Sequence, residues 1–458
     1  MLNQTKIDKF KASLRGDLVQ RADPQYEQAR KLYNGMIDRR PMLIARCADV
    51  ADVVSAVRFG RENDLLAAIR GGGHSGGGLG SCNDGLVIDL SPMKGVRVDP
   101  KARTVRAGAG CRQGDVDHAA HAFGLAVPAG IVSTTGIAGL TLGGGHGYLA
   151  RKYGLAIDNL LEADVVLADG RFVTVSATEH ADLYWALRGG GGNFGVVTSF
   201  LFRAHPVHTV FAGVTLWDFA HTTELLQWYR KFMPAARADL YGFFAIMNVP
   251  PAPPFPESLH RKTMCGIVWC WLGSLKRADA EFKRVLAVRK PSFQLLGPMP
   301  FPALQSLFDP LLPPGLQWYW KGDFVRDLSD AAIAEHVRFG SRLPTQLSSM
   351  HLYPIDGAVQ RVKPTATAFS YRDVTYSMII AGIDPEPAKA AALTKWAKDY
   401  WAALHPYSAG GAYVNFMMDE GRDRVQATYR GNYRRLATLK KKYDPTNFFR
   451  VNQNIQPV

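Results

Sequence analysis

Residues 70–78 read RGGGHSGGG, a histidine and a serine among six glycines behind an arginine. Glycine loses more backbone entropy on ordering than any other residue, so such a run suits a place needing positive φ or close main-chain approach to another group. Bare N–H groups at such turns fit phosphate oxygens, and His74 is the side chain in the run that can act as base or nucleophile. Two more clusters follow, GIVSTTGIAGLTLGGGHG at 130–147, which contains His146, and RGGGGNFGVV at 188–197, which contains Asn193. Three clusters point to a large phosphorylated ligand held by main chain. In AYVNF, Tyr413 and Asn415 stand two apart, which on a strand sends both to one face. A phenol, with a reference pKa of about 10, serves as a base near neutral pH only where a cation or hydrogen-bond donors favour its ionised form. His146 titrates nearer working pH and reads equally as a second acid–base group or as a polar residue of its loop. Tyr371 and Tyr376, five apart, face opposite sides of a regular strand, so at most one lines a pocket, and Tyr371 is preferred. His118 and His121 sit three apart on a helix with no third ligand spaced to complete a set, so no metal is expected.

Short elements must carry these groups. Residues 41–46 and 65–70 read as strands around a helix over 49–63, in which Val53, Val54 and Val57 recur at helical spacing. The first glycine cluster therefore follows a strand. Strands are expected at 85–90, 95–99 and 104–108, a helix at 115–123, and a hairpin over 162–175 about Asp169 and Gly170. A helix over 180–189 delivers the third cluster. The opening segment reads helical to about Val19. Gly108, Gly110 and Gly114 imitate a dinucleotide fingerprint, but the third glycine comes one place late and no acidic residue ends a strand about twenty residues on.

The chain has 458 residues, 47% of them hydrophobic, enough for a large core in two or three units. Its net charge of +14 would suit nucleic acid, an anionic ligand or simple solubility. No dense basic block occurs; Lys440, Lys441 and Lys442 fall in a helical pattern with Leu436 and Leu439 and read as a solvated face. Five cysteines, odd in number and widely spaced, argue for reduced thiols. No leader-like apolar segment opens the sequence and no run of about eighteen apolar residues occurs, so a cytoplasmic protein without membrane or nucleic-acid partners is expected. Beyond Pro206, to about Ala409, aromatic residues become dense and glycine clusters vanish, as in a separate α+β unit. Trp269, Trp271, Trp318 and Trp320 alternate there as strand residues do, with one of them expected at a pocket wall.

Taken together, RGGGHSGGG, residues 130–160, RGGGGNFGVV and the pair AYVNF and DPTNFFRVNQNI resemble, in order, the berberine bridge enzyme-like FAD-linked oxidases of the vanillyl-alcohol oxidase and p-cresol methylhydroxylase superfamily. The resemblance implies an α+β fold. A PCMH-type FAD-binding domain of two α/β subdomains covers 1–205, its PCMH part at about 36–205, and is completed by 410–458. A substrate domain over 206–409 carries an antiparallel sheet covered by helices. It implies FAD bonded to His74 and contacts from Arg70, Gly71, Gly72, Gly73, Ser75 and Gly76. It adds Val132, Thr135, Gly136, Gly139, Gly143, Gly144 and Gly147 from the second cluster, Asn193, Gly195 and Val197 from the third, and Asn415, Asn452 and Asn454 from the C-terminal motifs. Tyr413 falls where relatives carry a tyrosine over the flavin, with His146 and Tyr371 as further catalytic candidates. Many relatives make a second flavin bond through cysteine in a G-x-C segment; here it reads Gly130, Ile131, Val132, which implies attachment through His74 alone. The implied activity is oxidation of an alcohol, phenolic alcohol or cyclic amine, with hydride passing to flavin and O2 giving H2O2. A dehydrogenase using another acceptor and a basic binding protein are the alternatives. An aromatic-rich pocket favours an aromatic or terpenoid-like substrate over a free sugar and suits specialised metabolism or catabolism, while the oligomeric state is left open.

Overall fold

In the computed structural model, which describes residues 2–458, three large sheets and a two-stranded ladder between Leu125–Ala126 and His205–Pro206 carry the chain. The first is built where apolar runs alternate with an amphipathic helix. Strands Leu43–Arg46 and Ala67–Arg70 both lie parallel to Leu86–Asp89. Helix Val50–Glu62 crosses between them; Asp49 accepts from the Ala51 and Asp52 amides at its start, and Val53, Ala56 and Val57 are buried. The opening helix ends at Ser13, earlier than expected. Asp17–Gln20 is instead a strand antiparallel to Leu43–Arg46, because Leu18 and Val19 are both buried on opposite sides, which only the period-2 geometry of a strand allows.

The second sheet is wholly antiparallel, in the order Val96–Asp99, Thr104–Gly108, Val196–Arg203, Leu160–Val166, Phe172–Ser176. The hairpin turns at Gly170, whose φ of 81° is open to glycine. Thr104–Gly108 and helix Gln113–His121 are neighbours in sequence, but the strand has antiparallel partners, so the dinucleotide pattern has no βαβ unit beneath it.

The third sheet has seven antiparallel strands, ordered Phe293–Pro300, Thr209–Asp218, Thr263–Trp271, Leu240–Asn248, Ser349–Pro354, Tyr376–Asp384, Gln317–Val325. Its two faces divide the residues of each strand. Met350, Leu352, Tyr376, Met378 and Ile380 pack with helices Thr222–Ala235, Leu275–Leu286, Asp330–Gly340 and Ala390–Leu404. Tyr353, Ile379, Ala381, Trp318 and Trp320 face the other way, against Tyr33, Tyr148 and Leu149. That inner face fixes what lies across from the glycine clusters.

The C-terminal helices Arg422–Tyr429 and Asn432–Tyr443 return to the first two sheets, and Leu436, Phe449 and Ile455 join their core. Lys440 departs from the solvated face expected of it. Its ammonium is wholly buried, paired with Asp444 at 2.7 Å, and donates to the Asn193 and Phe449 carbonyls at 2.8 Å each. A run of lysines in a helical pattern cannot reveal which one points inward; two oxygens from the next turns of the chain and one from distant Asn193 decide it. Residues 367–375, read as strand, are loop before Tyr376, and Val414–Phe416 is a turn of 3₁₀ helix.

Candidate active site

A cavity of about 480 Å³ is lined by the three glycine clusters, the C-terminal turns and the inner face of the seven-stranded sheet. That is the size of a cofactor-and-substrate pocket. The first two clusters touch there: a Cβ on Gly72 would stand 2.4 Å from Gly136 Cα, and one on Gly136 would stand 2.3 Å from Gly72 N. Nothing but glycine fits at either place. Gly139 and Gly192 face the cavity with nothing near the position of a Cβ, and Asn452 Oδ1 is buried without a partner. Bare main chain and an unsatisfied amide oxygen around an elongated hollow fit a dinucleotide cofactor such as FAD.

His74 lies in this wall with its ring stacked on Tyr33, centroids 3.9 Å apart and planes 16° apart. Tyr33 is itself held at both ends, its N–H on the Gly73 carbonyl at 3.1 Å and its hydroxyl on the Leu312 carbonyl at 2.8 Å. Burial, helped by the positive charge of Arg112, draws the His74 pKa down to about 3. The imidazole is thus neutral with a lone pair available.

Between Gly145 and Gly147, His146 joins a group of rings. His146 has both nitrogens buried without a partner, and burial draws its pKa down to about 3. Its ring lies 4.5 Å from Tyr413 and 5.3 Å from both Tyr353 and Phe416. The Tyr413 hydroxyl accepts from the Gly145 amide and from Asn415 Nδ2, each at 2.8 Å. These are donors of the kind a phenolate needs, yet burial outweighs them and lifts the phenol to about 12. Tyr413 and Asn415 converge through a tight turn rather than by strand alternation.

Of the residues expected at the site, Gly71, Gly72, Gly73, His74, Ser75, Val132, Thr135, Gly136, Gly139, His146, Asn193, Gly195, Val197, Tyr413, Asn415 and Asn452 line the cavity. Arg70 lines it with a guanidinium turned to Asp89 and the Ala29 carbonyl, both at 2.7 Å. Gly76 closes on the Trp320 ring, 2.4 Å from the position of a Cβ. Gly143, Gly144 and Gly147 lie behind the wall, where Gly143 meets the Asn415 side chain and Gly147 the Gly130 carbonyl. Asn454 and Tyr371 lie outside the cavity as well. The Tyr371 hydroxyl donates to the Ala427 and Ala409 carbonyls at 3.0 and 3.3 Å, and its ring stacks on Phe324 under Arg430. The tyrosine of the large sheet that lines the cavity is Tyr353, with His351 beside it. Two-residue alternation along HLYP was the available signal, unreadable without knowing which face of the sheet turns inward. Both Trp318 and Trp320 line the pocket, where one tryptophan was expected. Among the described residues no group of acidic, histidine or cysteine side chains could hold a metal, and His121 stacks on His208 instead.

A sequence model of an FAD binding domain matches residues 41–176, and one described as berberine and berberine like matches 412–456. An FAD-linked oxidoreductase of Dictyostelium discoideum is 31% identical over 99% of this chain and 97% of its own. The chain belongs to the berberine-like FAD-linked oxidoreductases. An (R)-6-hydroxynicotine oxidase of Paenarthrobacter nicotinovorans is 27% identical, covering 97% of each chain. A solved structure of a variant of Physcomitrella patens BBE-like 1 superposes with a TM-score of 0.89 at 26% identity, covering 98% of this chain and 99% of the other. No helix among the described residues is long and apolar enough to cross a membrane.

Proposed function

We propose that the protein carries FAD bonded once, through His74, and oxidises an uncharged aromatic or otherwise apolar alcohol, phenolic alcohol or cyclic amine, with O2 as final acceptor and H2O2 as product. The observation that carries this reading is the lining of the cavity. Among the described residues its one permanently charged side chain is Arg70, already engaged with Asp89, and the other walls are aromatic and aliphatic side chains with uncharged amide, hydroxyl and imidazole groups among them. A carboxylate or ammonium substrate would lose its hydration there with no counter-charge. The relative named for 6-hydroxynicotine is in keeping with a ring-bearing substrate.

Bound FAD supplies a two-electron acceptor for hydride. The chain's own residues hold and orient. Main-chain amides of the glycine clusters would hold the phosphates, and neutral His74, fixed by Tyr33, would offer a nitrogen lone pair for the single bond. Gly130, Ile131 and Val132 line the cavity without a thiol, and Cys111 is buried with its sulfur 3.6 Å from the Gly95 carbonyl and outside the lining, which supports a single attachment. Tyr413, Asn415 and His146 hold polar atoms toward the substrate, and the surrounding rings exclude water.

Intact mass should exceed that of the polypeptide by one FAD, and the adduct should vanish in His74→Ala. Anaerobic mixing with benzyl alcohol, 4-hydroxybenzyl alcohol, cinnamyl alcohol and 2-phenylpyrrolidine should bleach the flavin absorption with at least one of them, and benzoate and glucose should leave it unchanged. A colourless protein, or bleaching by glucose alone, would overturn the reading. Peroxide formed per substrate consumed tests O2 as the acceptor.

A further inference from the structure

Strand Ser349–Pro354 turns His351 and Tyr353 into the cavity, two residues apart and so on one side of the sheet. His351 Nδ1 stands 2.5 Å from the Tyr353 hydroxyl, at the short end of hydrogen-bond geometry. With neutral imidazole accepting at Nδ1, the phenol donates to it and keeps its oxygen lone pairs toward the hollow. The His146 ring lies 5.3 Å from the Tyr353 ring, and its nitrogens have no partner in the protein. Tyr353, His351 and His146 all line the cavity, as do the apolar side chains of Trp318, Trp320, Phe308 and Ile379. The neighbours of His351 carry no charge: Ala245 and Ile379 pair with it on the adjacent strands, and Phe243 stands 5.3 Å from its ring.

From this geometry we propose that Tyr353, backed by His351, receives the proton of a substrate hydroxyl or amine held against His146. The inference rests on the oxidase reading above and names the group that takes the proton. The balance for an alcohol closes. The C–H bond breaks with its electron pair, leaving as hydride for which oxidised FAD is the acceptor. The O–H bond breaks and its pair becomes the second C–O bond. The released proton bonds to the Tyr353 oxygen as the proton of Tyr353 moves to His351 Nδ1, leaving a carbonyl product and an imidazolium. Burial holds His351 down to about 4 and Tyr353 up, so the pair is neutral at rest and takes a proton as negative charge enters the same cavity. Tyr353 is the catalytic residue here; His351 is a positioning residue that acts through it.

The test uses the flavin-loaded protein and whichever of the four panel compounds bleaches the wild type fastest. Tyr353→Phe is expected to keep the yellow band and to bleach about 10²–10⁴-fold more slowly. His351→Gln keeps an acceptor for the phenol but cannot store the proton, and is expected to lose the acid limb of the rate–pH profile. A second readout needs no turnover: in the proton NMR spectrum of the wild type, the short Tyr353–His351 hydrogen bond should give a resonance downfield of the amides that is absent from both variants. A Tyr353→Phe rate within threefold of wild type, or a wild-type spectrum without that resonance, would overturn the proposal. A protein that takes up no flavin would refute the oxidase reading instead, and the resonance in the same sample would still decide the pair.

Discussion

Tyr413 shows how one side chain can serve structure and site together. Its hydroxyl is the acceptor for the buried Gly145 amide and for Asn415 Nδ2. Tyr413→Phe therefore leaves the Gly145 amide without a partner, while Asn415 Nδ2 keeps the Leu140 carbonyl at 3.1 Å, and a loss of about 1–3 kcal/mol in stability is expected whatever its part in turnover. If it also touches the reacting group, flavin bleaching should slow by at least about 10²-fold while FAD content stays at wild type. Thermal midpoints and single-turnover rates separate the two effects. Tyr33 offers a second test at this scale. Tyr33→Phe keeps the ring stacked on His74 and loses the bond to Leu312, whereas Tyr33→Ala loses the stack. Intact mass is expected to show near-complete FAD attachment in the first and reduced attachment in the second; equal attachment would show that the stack does not orient the imidazole.

Elements meet the cofactor side through main chain, so their tolerance to substitution is set by backbone separation. The turn after strand Ala67–Arg70 and the start of helix Ile137–Gly143 come together at Gly72 and Gly136, closer than any Cβ allows. Gly136→Ala must move one of the two segments, and it is expected to lower both flavin content and the thermal midpoint. Helix Gln113–His121 supports the next loop along. Gln113 accepts from the Gly130 amide at 2.8 Å, and buried Asp117 lies behind it with Gln305 Nε2 at 3.3 Å. Burial lifts the Asp117 carboxyl to about 7, against about 4 in the unfolded chain. Between those values the folded state holds the extra proton, so this group's contribution to stability falls as pH rises from about 4 to about 7. Asp117→Asn is therefore expected to raise the thermal midpoint at pH 8 and to change it little at pH 4.

The whole molecule is tied across its two cores by buried charge. Arg151, which follows the second glycine cluster, is 2% exposed; it pairs with Asp356 at 2.6 Å and donates to the Met233 carbonyl at 2.8 Å. Arg151→Ala strands Asp356 in the interior and is expected to destabilise by about 3–5 kcal/mol, measured as loss of soluble folded protein or of thermal midpoint. Five histidines set the response to acid. Burial draws His74, His146 and His336 down to about 3 and His205 and His351 to about 4. The unfolded chain takes up these protons near pH 6.5 and the folded one far lower, so stability is lost as pH falls from about 6.5 toward 4. Thermal midpoints should drop over that range, and less steeply in His336→Asn, a site packed on Tyr400 and remote from the cavity.

The sequence by itself determined the parts whose cause is local. The glycine clusters, the Asp169–Gly170 hairpin and the helix that opens at Asp49 follow from φ, turn chemistry and period, all set within a few residues. The cofactor half of the site was legible for the same reason, since main chain that must come close needs glycine wherever it does so. What only the tertiary structure decided is which side of each element faces inward. Tyr371, expected at the substrate, ends on main-chain carbonyls behind Phe324, while Tyr353 takes the cavity with His351. Lys440, expected in solvent, sits among oxygens supplied by Asn193, Asp444 and Phe449. Each outcome depends on partners far away in the chain, and a side chain's neighbours across a packed interface leave no mark on its own segment.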